Sequence, residues 1–186
     1  MSSFNFLEIT IIPMTKIIGP ELASKEAIQR WIKRGWIREE FKEEYKHIDK
    51  VFPRDYKGRP YITKEQLCAP IRRVCRDNGL DSKQILDFDI VDKNDLTEIN
   101  YMVIPEYPLV QSRAILNIER NVPESLETFE YIDSTFRSTM LIRTRVDPKK
   151  VAAVIAEAGK KYGLFGKTKK GYGKFAIEAR EVSCKQ

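Results

Sequence analysis

Apolar residues along this chain recur with two periods. From Phe4 to Ile12 aromatic and β-branched residues dominate, and the run stops at Pro13, which predicts a strand. Beyond it the period lengthens. Ala27, Ile28, Trp31 and Ile32 fall on one helical face, Ser24 stands at the N-cap and Gly35 ends the segment. Residues 36–47 read as a second short helix, and 48–61, holding Pro53, Gly58 and Pro60, as a loop. Thr63-Lys-Glu-Gln66 has capping-box form ahead of Leu67, Ile71, Val74 and Cys75, and Gly79 closes that helix. Pro70 must lie near its first turns or kink it.

Strands are predicted at 85–91 and 99–104 around an acidic connection, then at Ser112–Val122 and Phe136–Val146. Asp147-Pro148 provides an N-cap and an N1 proline for a helix through about Lys161, with Val151, Val154, Ile155 and Ala158 inside. Tyr172 to Val182 is the last strand. This order predicts an α+β chain with a ferredoxin-like (RRM-like) βαββαβ core carrying inserted helices and hairpins. An unrelated α+β sandwich has the same element order. A single domain over 1–186 is expected, with 20–60 as a helical and loop insertion.

Composition narrows the class. A chain of 186 residues fits one domain that buries roughly 70% of its unfolded surface. With 42% apolar and 32% charged residues it has a soluble globular balance. No apolar run approaches the roughly 20 residues of a membrane span, and Met1-Ser-Ser-Phe-Asn does not open a secretion signal. Cys68, Cys75 and Cys184 lack disulfide or zinc spacing, so reduced thiols, a cytoplasmic location and no membrane partner are expected. There is no P-loop, dinucleotide fingerprint or Ser-His-Asp set.

Charge is the informative quantity. The six lysines between Lys160 and Lys174, with no acid among them, equal the whole net charge of +6. They surround Gly163, Gly166, Gly171 and Gly173, where absent side chains let a ligand approach the backbone. Main-chain N–H groups flanked by ammonium groups suit a polyanion. About four lysine–phosphate contacts on a single strand give a log–log salt slope near −3. Tyr172 either offers its ring to a base, worth ~1–3 kcal/mol, or points into the core. Arg72, Arg73 and Arg76 flank the apolar face of the helix after Thr63, as a phosphate-binding face or a solvated flank. Trp31 anchors its helix, whereas Trp36, near Lys33, Arg34 and Arg38, remains open to stacking. The acidic run from Asp87 to Asp95 lacks the glycine and terminal glutamate of a calcium loop.

Three segments together resemble the RAMP (repeat-associated mysterious protein) superfamily of CRISPR systems, specifically the subunits that form the guide-RNA-binding backbone of effector complexes. Gly166-Lys-Thr-Lys-Lys-Gly171-Tyr-Gly173-Lys is similar to that family's C-terminal glycine-rich loop. His47 to Ile62 is similar to the loop before its first core helix, and Asp49 falls on the aspartate that type III subunits need for target-RNA cleavage. Arg113–Val122 and then Phe129–Phe136 resemble its thumb region and the strand after it, which implies a thumb-like loop over 121–135. Two positions depart from the pattern: Thr63-Lys-Glu-Gln-Leu-Cys-Ala69 stands where a glycine-rich helix start is usual, and the glycine pair after the first strand is reduced to Gly19.

The resemblance implies single-stranded RNA held by Gly166, Lys167, Lys169, Lys170, Gly171, Tyr172, Gly173 and Lys174, to which the helix spacing adds Arg72, Arg73 and Arg76. Copies of the chain itself or CRISPR effector subunits are the implied partners, with no cofactor. One alternative is an endoribonuclease using Asp49 and Mg²⁺; the lone His47 has the chemistry of a general base but no identifiable partner and reads as an ordinary loop residue. The other is a viral mimic of the backbone subunit that caps or inhibits a CRISPR complex.

Overall fold

The structure is a computed structural model that describes residues 4–105, 109–117, 122–165 and 171–183, with backbone alone at 109, 112–117 and 122–126. In chain order the elements are β1 (Asn5–Pro13), β2 (Ile17–Ile18), β3 (Glu21–Leu22), α1 (Lys25–Lys33), a 3₁₀ turn (Glu39–Phe41), α2 (Lys42–Tyr45), β4 (Lys50–Val51), β5 (Tyr61–Thr63), α3 (Lys64–Asp77), α4 (Ser82–Ile85), β6 (Phe88–Val91), β7 (Tyr101–Val103), β8 (Leu109–Asn117), β9 (Val122–Ile132), β10 (Ser138–Thr144), α5 (Pro148–Lys161) and β11 (Phe175–Val182). The chain is α+β, and no described helix is long and apolar enough to cross a membrane.

The main sheet has the order β11-β1-β10-β6, antiparallel throughout. Alternation explains its two faces. Leu7, Ile9 and Ile11 of β1 point into the core with Ile90, Met140, Ile142 and Phe175, while Glu8 and Thr10 point away. Leu67, Ile71, Val74 and Cys75 of α3 and Val151, Val154, Ile155 and Ala158 of α5 meet the first set. Both helices start where the sequence places them. The Thr63 hydroxyl accepts from the Gln66 N–H at 3.1 Å while the Gln66 side chain accepts from the Thr63 N–H at 2.9 Å. The Asp147 carboxylate accepts from the Lys149 N–H at 3.0 Å. Pro70 lies buried in the second turn of α3, where the only bond forfeited is one to the Gln66 carbonyl.

In a second sheet β9 is the hub, antiparallel to β2 and β8 and parallel to β4, with β3 beyond β4. The insertion over 20–60 packs its own small core of Ile28, Ile37, Tyr45, Ile48 and Val51 here, joined by Trp31.

Several expected elements differ. Residues 36–47 form a 3₁₀ turn and the four-residue α2, because consecutive acids at 39–40 and 43–44 leave no continuous apolar face. Ile85 closes α4 instead of opening a strand, since Asp81 caps that turn through the Lys83 N–H at 2.9 Å. Of the loop expected over 121–135, Val122–Ile132 is strand β9, and residue 121 lies outside the described residues; Pro123 and three glutamates disguised the alternation.

Candidate nucleic-acid interface

The glycine turn is built on the end of α5. Gly163, at φ +61°, returns its N–H to the Ala158 carbonyl at 2.8 Å and ends the helix. The next residue, Leu164, is fully buried and donates to the Gly173 carbonyl at 2.8 Å. Gly173 donates in turn to the Lys16 carbonyl at 2.9 Å, and the Lys174 carbonyl accepts from Met14 and Thr15 at 2.8 and 3.2 Å. The two limbs are thus bonded to each other and to the β1–β2 connection. A Cβ on Gly173 would overlap the Leu164 carbonyl, and the residue sits at φ +89°, so glycine is required. Gly171, at φ +80°, faces open space. Gly166, Lys167, Lys169 and Lys170 lie outside the described residues. Lys174 makes no ion pair among the described residues.

Beside this turn stands an aromatic wall. Tyr172 is half-buried, edge-to-face with Phe129 at 6.2 Å, and Phe129 meets Tyr131 at 6.3 Å. The Lys16 ammonium lies 4.6 Å over the Tyr131 ring and 2.5 Å from Gln111 Oε1. Lys16 and Tyr131 escape a reading of the sequence, since only the β1–β11 and β2–β9 pairings bring them to the glycine turn.

A cleft of about 460 Å³ opens between α3 and the end of α5, lined by Glu65, Gln66, Pro70, Arg73, Tyr162 and Phe165. The Arg73 guanidinium stands 5.6 Å over the Tyr162 ring, whose hydroxyl bonds to Asp77 together with Lys161. The three predicted arginines therefore separate. Arg73 reaches the cleft and Arg76 is exposed on the last turn of α3. Arg72 is engaged by both oxygens of Glu65 at 2.7 and 3.1 Å, and that pairing holds the Glu65 carboxyl below its usual range.

Asp49 is exposed and committed locally. Its carboxylate accepts from the Thr128 N–H at 2.7 Å, and its own N–H donates to the Thr128 carbonyl at 2.7 Å, stitching the insertion to β9. Asp55 accepts from the Lys57 and Arg59 N–H groups at 2.9 Å each and pairs with the Arg59 guanidinium at 2.8 Å. His47 is exposed after α2, its N–H bonded to the Glu44 carbonyl. The described residues contain no group of three histidine, cysteine, aspartate or glutamate side chains disposed to hold a metal ion. Trp36 packs its ring on Gly58, 2.5 Å from where a Cβ would stand, with Arg34 at 4.9 Å on the ring. Trp31 carries Arg54 at 4.9 Å over its ring.

That Arg54 belongs to a buried network. Its guanidinium pairs with Glu130, the two side chains being 1% and 0% exposed, and Glu130 also accepts from the Tyr45 hydroxyl and, at 2.7 Å, from the Phe52 N–H. Burial and the Glu130 charge push the Tyr45 hydroxyl far above its ordinary value.

The sequence matches no family model and no curated protein. Its fold is similar to that of a chain from a type III-B Cmr-beta complex, solved by cryo-EM bound to cognate target RNA, with a TM-score of 0.54 and 14% identity. The match covers 97% of this chain and 61% of that one, so this chain spans about three fifths of the other's length.

Proposed function

We propose that this chain is a RAMP-like protein that binds single-stranded RNA, with the glycine turn and its lysines on the backbone of the strand. The observation that carries the reading is the bonded base of that turn. The two limbs of a glycine-rich segment, at Gly163–Leu164 and Gly173–Lys174, are bonded to each other and to the β1–β2 connection, with the Lys16 side chain over the neighbouring Tyr131 ring. Fixing the two ends of such a segment lowers the entropy lost when a ligand binds. The likeness to a chain of an RNA-bound CRISPR complex supports the same reading.

A ferredoxin-like core belongs to this proposal. Its support is the strand order β11-β1-β10-β6 with α3 between β1 and β6 and α5 between β10 and β11 in the chain. In this reading the β8–β9 ribbon is the thumb-like projection, Arg73 supplies a further phosphate contact from the cleft, and Asp49 ties the insertion to Thr128. Binding of labelled RNA across a salt series tests it. Wild type should lose affinity with a slope near −3, and Lys167/Lys169/Lys170→Ala should flatten that slope by about two to three. Equal affinity and slope in the triple variant would remove the reading. RNA cleavage in Mg²⁺ that disappears in a folded Asp49→Ala would reassign Asp49 to chemistry.

One observation favours a second reading, a mimic that caps a CRISPR complex. Glu65 sets a carboxylate at the mouth of the cleft and occupies Arg72. Tight binding to an effector subunit alongside weak RNA binding would support it.

A further inference from the structure

β11 forms an edge of the main sheet. β1 pairs with one side of it from Phe175 to Val182, and no described strand pairs with the other. Residues 178–181 are exposed. An open strand of this length is a template for a further strand, and proteins commonly blunt such edges with charge. Here the charges do not simply repel. On the face turned away from α3 and α5 the side chains run Ala176, Glu178, Arg180, Val182, opposite Ile12, Thr10, Glu8 and Phe6 of β1. Arg180 is held from that side, its Nε and one terminal nitrogen each 2.9 Å from Glu8 Oε1, while Lys93 Nζ stands 2.7 Å from Glu8 Oε2. The Arg180 side chain is nevertheless 73% exposed, and a guanidinium has five N–H donors. Glu178 makes no ion pair among the described residues.

We propose that β11 pairs antiparallel with β11 of a second copy of this chain, about a two-fold axis at Ala179. In that register Glu178 of each copy lies directly opposite Arg180 of the other. Directly opposed Cβ atoms are about 4.5–5.5 Å apart in an antiparallel pair, within reach of a carboxylate and a guanidinium. Two symmetric chains of alternating charge result, each running Lys93, Glu8, Arg180 and the other copy's Glu178. The axis position is selected by sign. Moving it to Glu178 or Arg180 opposes like charges, and pairing residues of unlike parity turns the helix face of one sheet toward the outer face of the other. Ala179 at the axis presents no bulk.

Light scattering and sedimentation of RNA-free protein across a concentration series test the proposal without reference to RNA binding. Wild type should dimerise as concentration rises. E178K and R180E should each dimerise about tenfold more weakly, because two opposed pairs turn repulsive. Mixing the two variants should restore association as a heterodimer. There the introduced lysine faces the introduced glutamate, the native arginine faces the native glutamate, and both pairs are again opposite in sign. Circular dichroism of each variant checks that it is folded, and slowed amide exchange in β11 should accompany association. A wild type that stays monomeric to about 1 mM, an E178K that dimerises like wild type, or a mixture that remains monomeric each overturns the proposal.

Discussion

At Gly173 a methyl group has nowhere to go. It would collide with the Leu164 carbonyl, which lies in the core side of the turn, on a backbone at φ +89°. Gly173→Ala should therefore cost about 2–3 kcal/mol and lower Tm by about 4–12 °C. Gly171 shares the positive φ but faces open space, so Gly171→Ala should cost only about 1 kcal/mol. Calorimetry of the two variants separates a steric requirement from a conformational one, and equal losses would mean that the turn is not packed against Leu164. Cys68 is a second residue whose environment makes a claim. It is buried in α3 against the main core, and burial pushes its thiol up to about 11. It should resist thiol reagents at neutral pH until the protein unfolds. Because the folded value is raised above the ordinary value near 9, its contribution to stability is complete below pH 9 and is lost as pH rises from 9 through 11. Rapid labelling of Cys68 itself in native protein at pH 8, read by peptide mapping, would contradict this placement.

Among elements, the insertion over 20–60 is attached to β9 by polar bonds more than by regular pairing. β4 meets β9 at one parallel register position, Lys50 opposite Phe129. Asp49 adds two bonds to Thr128, and the Arg54–Glu130 pair joins the loop after β4 to the middle of β9. An isolated buried charge is more costly than a buried pair. Arg54→Met should then destabilise by about 3–5 kcal/mol. Adding Glu130→Leu should cost less than the sum of the two single changes, the Tyr45 hydroxyl and Phe52 N–H left unpaired limiting the recovery, read by denaturant melts as a double-mutant cycle. Simple additivity would mean that the two charges do not depend on each other. The same elements show where the sequence was legible. Helices α3 and α5 were readable to within a residue or two because caps and apolar spacing agree there. Strand β9 was not, because its acids look like solvated surface and one of them, Glu130, is a fully buried acceptor whose partners are 76–85 residues away. The site divides the same way. The glycine turn announced itself by composition, whereas Lys16 and Tyr131 reach it only through strand pairing.

For the molecule as a whole, the proposed RNA interface makes a claim on how charge is distributed over the surface. On the outer face of the main sheet the cations are already engaged by acids, Lys93 and Arg180 by Glu8 and Arg143 by Asp89, which Lys64 also reaches. The end bearing the glycine turn has Lys16 over Tyr131 and Lys174 two residues after Tyr172, and the net excess of the sequence falls between Lys160 and Lys174. A strand bound there should shield those ammonium groups while leaving the sheet face reachable. Lysine-reactive footprinting with and without a short single-stranded RNA should accordingly show protection of Lys16 and Lys174, with Lys93 and Lys83 unchanged. The shielding should fade as salt rises, in step with affinity, because both depend on released counterions. Protection centred on Lys93 instead would move the interface to the outer sheet face, where Glu8 and Glu178 would meet phosphate directly; the β11 edge beside that face suits another copy of β11, which brings its own guanidinium, better than it suits RNA.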